Sequence, residues 1–206
     1  MTYKILFTTI FVFLFSACSF KDSSFNLEDE LTQANLCQKL QAKDEKLLCY
    51  DKIKETNSYA QLRLGIYFFE KKDFDKAIPL LKQSNANKNS YSNLALAYSY
   101  YRGEGEQKDL KKAFKLLKNS ASIDPNASYQ LARFYMQGIE TEKNTEKGLS
   151  LLEFAANKNM KAAQNQLYTI YSKGKFGIKK DSKKATYWDK LRNDKSEDLN
   201  YKIYQL

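Results

Sequence analysis

The side chains that could do chemistry in this sequence are few, and their spacing limits them further. Two acidic pairs, Glu104/Glu106 and Glu140/Glu142, offer the two carboxylates a hydrolase uses as acid and base. Both fall in corresponding loops between expected helices. There the carboxylates are solvated and have no apolar wall to raise either pKa, so ordinary loop acids are the favoured reading. None of the 206 residues is His, which excludes Ser-His-Asp and Cys-His nucleophilic chemistry and the usual imidazole metal ligands. The cysteines are Cys18, Cys37 and Cys49, too few for a thiolate metal site and too far apart for a CxxC redox pair. No catalytic constellation, metal site or cofactor site is expected.

The charge balance is basic, 34 Lys plus Arg against 24 Asp plus Glu, a formal +10. The lysines are spread along the whole chain and no groove-reading motif accompanies them, so nucleic acid is not an expected partner. A face drawn to phospholipid headgroups or other envelope anions is weighed against plain solvated lysine surface, and the latter is favoured. Asn126-Ala127-Ser128 matches the short glycosylation pattern but reads better as a helix start.

The N-terminal stretch has the layout of an export signal. Lys4 precedes the 13 mostly apolar residues Ile5 to Ala17, short of the ~20 needed to span a bilayer. An ordinary cleavage site before Cys18 would want a small residue at −3, where Phe15 stands. Leu14-Phe15-Ser16-Ala17-Cys18 instead resembles a bacterial lipobox. That resemblance implies removal of residues 1–17, lipidation of Cys18 and a lipid-anchored protein facing the periplasm. Ser19 is not the Asp that resembles an inner-membrane retention signal, which favours the outer membrane. Residues 18–26 read as a polar tether.

Cys37 and Cys49 then remain as an even pair in an oxidising compartment. On one straight helix their Cα atoms would lie ~18 Å apart, too far to bond. A turn at Gln41-Ala42-Lys43-Asp44, with Asp44 as N-cap, makes residues 27–57 a helical hairpin that brings the sulfurs together. The segment is also similar to a Cys…Cys-Tyr-Asp stretch of some periplasmic proteins. Two free buried cysteines are the alternative.

Positioning comes from a repeat. Leu64-Gly65-x-x-Phe68, Leu96-Ala97-x-x-Tyr100-x-x-Gly103, Leu131-Ala132-x-x-Tyr135-x-x-Gly138 and Leu167-Tyr168-x-x-Tyr171-x-x-Gly174 share one spacing. Each is followed by a cap-type residue and a small one: Asp73…Ala77, Asp109…Ala113, Asn144…Gly148 and Asp181…Ala185. The leucine and aromatic lie on one stripe of a first helix, glycine ends it, and Asp or Asn caps a second. The small residue lets the two helices approach. One pair cannot bury its own stripe, so the pairs must stack. Pro79 falls inside a predicted second helix and is expected to bend it, whereas Pro125 precedes a helix starting near Asn126.

This pattern resembles the Sel-one-like repeat family, relatives of the tetratricopeptide repeat, over residues 58–192. The first copy departs from it, lacking the glycine-rich loop. The resemblance implies an all-α solenoid of four stacked helix pairs, with residues 193–206 capping the last exposed face. It also implies a concave groove lined by the first helix of each pair. Carried over by alignment, the groove residues are Tyr59, Phe69, Tyr91, Tyr98, Tyr101, Arg102, Tyr129, Arg133 and Met136. An aromatic channel edged with Arg suits a protein or peptide partner in the envelope, one associated with peptidoglycan included, and so a non-enzymatic scaffold or adaptor. The alternative is a cell-wall-active or β-lactam-binding protein. Exported relatives of that kind carry a Cys pair in each repeat, and this chain has no Cys after Cys49.

Overall fold

The computed structural model describes residues 26–196 and 199–206, and the proposed signal segment and Cys18 lie outside them. Among the described residues the fold is all-α. An N-terminal hairpin, α1 (Leu27–Gln38) and α2 (Lys43–Ile53), leads into four further pairs. These are α3 (Ser58–Glu70) with α4 (Phe74–Ala86), α5 (Ser92–Arg102) with α6 (Leu110–Ser120), α7 (Pro125–Gln137) with α8 (Thr145–Asn157), and α9 (Lys161–Lys173) with α10 (Ser182–Arg192). In the four repeat pairs each helix packs most heavily on its own partner, and the second helix of one pair packs on the first helix of the next, which is the stacking of a solenoid. A 3-10 turn, Leu199–Tyr204, ends the described chain.

Local chemistry sets the helix ends where the repeat predicts. Asp73, Asp109, Asn144 and Asp181 each accept a hydrogen bond from the backbone N–H three residues on, capping α4, α6, α8 and α10. The first helices α5, α7 and α9 stop at Gly103, Gly138 and Gly174, all left-handed with φ near 70°. The first repeat has no glycine there, and Lys72 takes the left-handed turn instead at φ 60°. That conformation costs a non-glycine residue roughly 1 kcal/mol.

The core follows the same register. Leu64, Leu96, Leu131 and Leu167 are buried on the first helices, and Ala77, Ala113, Gly148 and Ala185 on the second. Leu81, Leu117 and Leu152 are buried four residues after the small position, but in the last repeat Trp188, three residues after it, takes that place. Helix α4 runs without interruption through Pro79, which stays exposed.

One detail of the N-terminal hairpin differs from expectation, and its disulfide does not. Its second helix begins at Lys43 with Ala42 at the N-cap and no side-chain cap bond, so Asp44 lies inside the first turn. There it faces the positive end of the helix dipole rather than capping it. Cys37 and Cys49 are bonded to each other, with Cα atoms 5.5 Å apart. The hairpin is joined to the repeats by a buried polar cluster. Glu30 Oε2 accepts from the Ser58 N–H (2.6 Å), while Asn57 caps α3 and donates to the Glu30 carbonyl (2.8 Å).

The described part of residues 193–206 does not cap the last repeat as a helix. Ser196 lies beside Asn159 and Lys161, but the turn at residues 199–204 packs at the other end of the solenoid, against α3. Its apolar residues Ile203, Tyr204 and Leu206 join the core cluster shared by the hairpin and the first repeat.

Candidate functional site

The first helices α3, α5 and α7, together with the start of α9, line a concave cavity of about 310 Å³. Their aromatic positions recur on one stripe in each pair, so stacking aligns them into a continuous floor. Phe69, Tyr98, Arg102 and Tyr129 meet there. Arg102 stands over the Tyr98 ring, 5.4 Å from its centroid, and Gln130 donates to the Tyr98 hydroxyl. Glu70 and Arg102 put one acid and one base on a mostly apolar rim that also carries Asn126 and Gln130. A smaller depression of about 170 Å³ holds Tyr129, Arg133, Met136, Leu152 and Phe176. Arg133 is exposed at its edge and donates to Gln130 (2.8 Å).

Of the other predicted residues, Arg133 and the buried Met136 edge that smaller depression, and the rest stand elsewhere. Tyr59 is buried in the core, its ring 6.4 Å from that of Tyr91, because the N-terminal hairpin covers the start of α3. Tyr101 points into the joint between repeats, 5.8 Å from the Phe134 ring, in a crevice of about 30 Å³. Met136 is buried against Gly148, which leaves room for it. Tyr91 is half-buried and reaches the concave side only through Tyr204, 6.1 Å away in an edge contact.

Three residues that matter most here were not among those predicted. Arg63, although cationic, is almost fully buried on α3. Its guanidinium donates to the Tyr50 hydroxyl (3.0 Å), to Asn35 Oδ1 (2.9 Å) and to the Ile203 carbonyl (3.4 Å). Asp124 is buried at the N-cap of α7 and accepts from the Asn126 N–H and from the Tyr204 hydroxyl. Burial pushes its carboxyl above the ordinary value while those hydrogen bonds pull the other way. Tyr204 closes one wall of the large cavity, and desolvation beside Asp124 holds its phenol well above the usual tyrosine range. The Asp-Pro pair at 124–125 is a helix-start signal that marks Asp124 as a cap. Nothing local marks its distant partner.

The first pair of loop acids is engaged structurally. Glu106 pairs with Lys82 of the preceding repeat and Glu104 lies 3.7 Å from Arg102. Neither carboxylate faces a cavity wall with a second acid.

Comparison with known proteins agrees with this geometry. The Sel1 repeat profile matches residues 58–88, 90–123, 125–160 and 162–188, together more than half of the chain. The chain is similar in fold to a crystal structure of a Sel1 repeat protein from Oxalobacter formigenes, with a TM-score of 0.70 and 24% identity, covering 79% of this chain and 72% of that one. It is also similar to c5321, a protective antigen of uropathogenic Escherichia coli strains with an SLR fold. There the TM-score is 0.64 and the identity 20%, over 85% of this chain but only 40% of the longer c5321. No curated protein matches. Four matched repeats on four stacked helix pairs make the chain a member of the Sel1 repeat family.

Proposed function

We propose that the chain is a non-enzymatic scaffold of the bacterial envelope, anchored through lipid on Cys18 and facing the periplasm, with the outer membrane favoured. Its concave groove takes a protein or peptide partner, including one associated with peptidoglycan. Sel1 repeats generally serve as protein–protein interaction scaffolds. The observation that carries the reading is the aromatic floor of Phe69, Tyr98 and Tyr129 beside Arg102, contributed by three successive repeats around one open cavity. Large rings and Arg are the side chains that gain most when a partner desolvates them. The lipobox-like segment and the Cys37–Cys49 bond, suited to an oxidising compartment, support the location.

A photo-crosslinking residue at position 98 or 129, used in cells, is expected to trap one defined envelope protein. Tyr98→Ala with Tyr129→Ala should abolish pull-down of that protein while leaving the fold intact. Retention of the partner by the double variant would move the interface off the groove. Steady nitrocefin hydrolysis by purified protein, lost on a point substitution, would replace the scaffold reading with the enzymatic one. A lipid mass increment on the peptide containing Cys18, blocked by globomycin, tests the anchor.

A further inference from the structure

One end of the groove is walled by Tyr204, and its neighbours Lys202, Ile203 and Gln205 lie in an adjoining depression with Gln38 and Arg63, bound as a separate short peptide would be. This turn ends with its last carbonyls unpaired, as any helical turn does. Donors from three different helices reach them. Gln38 Nε2 donates to the Lys202 and Gln205 carbonyls (3.3 and 3.4 Å), Arg63 Nε to Ile203 (3.4 Å) and Lys46 Nζ to Leu206 (3.4 Å). Two of these donors are cations, which suit the negative end of a helical turn. Every residue has a carbonyl, so this cluster recognises a helix end rather than a sequence. The side-chain contact is specific: the Tyr204 hydroxyl donates to the buried Asp124, with its ring against Tyr91.

The fit is incomplete. The four carbonyl bonds lie at the long end of the hydrogen-bond range, Lys202 and Gln205 are exposed, and the cavity of about 310 Å³ remains open beside Tyr204. A segment packed as permanent core would leave less unfilled.

We propose that residues 202–206 are a tethered stand-in for a partner, and that the site is built to receive the C-terminal turn of a partner helix carrying a tyrosine on that turn. Gln38, Lys46 and Arg63 cap its carbonyls, Asp124 takes its phenol, and the preceding turns of the helix lie along Phe69, Tyr98 and Tyr129. The inference rests on the scaffold reading and names the kind of partner. A tethered segment acts at an effective concentration on the order of millimolar, so an outside peptide of comparable intrinsic affinity, roughly 0.1 mM, would bind about ten-fold more weakly while the tether is in place.

The test uses the full chain and a fluorescein-labelled synthetic peptide with the sequence of residues 199–206, read by fluorescence anisotropy. Tyr204→Ala in the protein should tighten peptide binding about ten-fold over wild type, and Tyr204→Phe, which keeps the ring, should fall between. Replacing the peptide's own second tyrosine by alanine should weaken its binding to Tyr204→Ala protein by ten-fold or more. Equal affinity in all three proteins, or indifference to the peptide's tyrosine, overturns the proposal. Cellular crosslinking at Tyr98 in a protein that fails this assay removes the tethered-ligand inference and leaves the scaffold reading standing. Competition in the assay without a cellular crosslink supports the inference and counts against the envelope partner.

Discussion

Tyr204 donates its hydroxyl to Asp124, the N-cap of α7, across 80 residues of sequence. The bond ties the returning segment to the middle of the solenoid, and it is a hydrogen bond to a buried carboxylate. Such bonds contribute more than neutral ones, about 1.5–3 kcal/mol. A double-mutant cycle of Tyr204→Phe and Asp124→Asn, measured by urea denaturation, should therefore give a coupling energy on the order of 1–3 kcal/mol. Asn keeps the capping oxygen, so Asp124→Asn alone should cost less than Asp124→Ala. A coupling near zero would mean that the segment is not seated on Asp124 in solution.

The same pair sets a pH dependence with a definite sign. Burial and Asp124 raise the Tyr204 phenol above its ordinary 10.0, and burial likewise raises Tyr50, Tyr59, Tyr91 and Tyr171. The unfolded chain then releases these protons first, so stability falls as pH climbs past about 10. Asp124 has a raised pKa as well, so the native state holds its proton above 3.8 and stability falls as pH rises through that acid window. Urea midpoints followed across pH should drop on the alkaline side, and less steeply in Tyr204→Phe. The difference between the two curves isolates Tyr204 from the lysines that titrate in the same range. Parallel curves would show the phenol to be water-exposed.

What the sequence discloses about this fold is the part decided within one turn of the chain. Asp109 caps α6 and Gly103 ends α5 because capping and left-handed backbone depend on the residue and its immediate neighbours. The alignment places Tyr98 and Tyr129 in the groove for the related reason that stacking preserves a helix face. Tyr59 and Tyr101 stand apart from that floor, because their surroundings come from the N-terminal hairpin and the next repeat. The apolar residues Ile203 and Leu206 announce that the last segment is buried, but not where. Two surfaces compete for it, and only the packed structure decides between them. Arg63 reads as a surface cation because its Tyr50, Asn35 and Ile203 partners come from three separate segments.

The Cys37–Cys49 bond closes a short loop, with a sequence separation of 12. In the chain-entropy account a loop of this size contributes about 3 kcal/mol. Asn35 and Tyr50, which hold the Arg63 guanidinium, lie within two residues of the bonded cysteines. Replacing both cysteines by Ser should therefore loosen α1 and α2 and, through Arg63, the returning segment, while α5 to α10 stay protected. Hydrogen exchange followed by mass spectrometry distinguishes this from a global loss. Uniformly faster exchange along all ten helices would contradict a solenoid whose repeat pairs are held mainly by their neighbours.

Gly148 and Gly177 make opposite demands, and substituting each by Ala separates packing from backbone strain. A Cβ at Gly148 would lie 2.5 Å from Met136 Cγ and 3.2 Å from the Ala132 carbonyl oxygen, where α8 crosses α7. Gly148→Ala should then cost roughly 1–3 kcal/mol by overpacking. Shortening the neighbour, in Gly148→Ala with Met136→Ala, should not restore wild-type stability, because the carbonyl contact remains and a cavity opens. At Gly177 nothing lies within 4 Å, and the demand is a φ of 80°. Gly177→Ala should cost only the left-handed strain, about 1 kcal/mol, and leave the groove untouched. Thermal denaturation of the two single variants orders them. If Gly177→Ala were the more damaging, close helix approach would not be what holds the third repeat together.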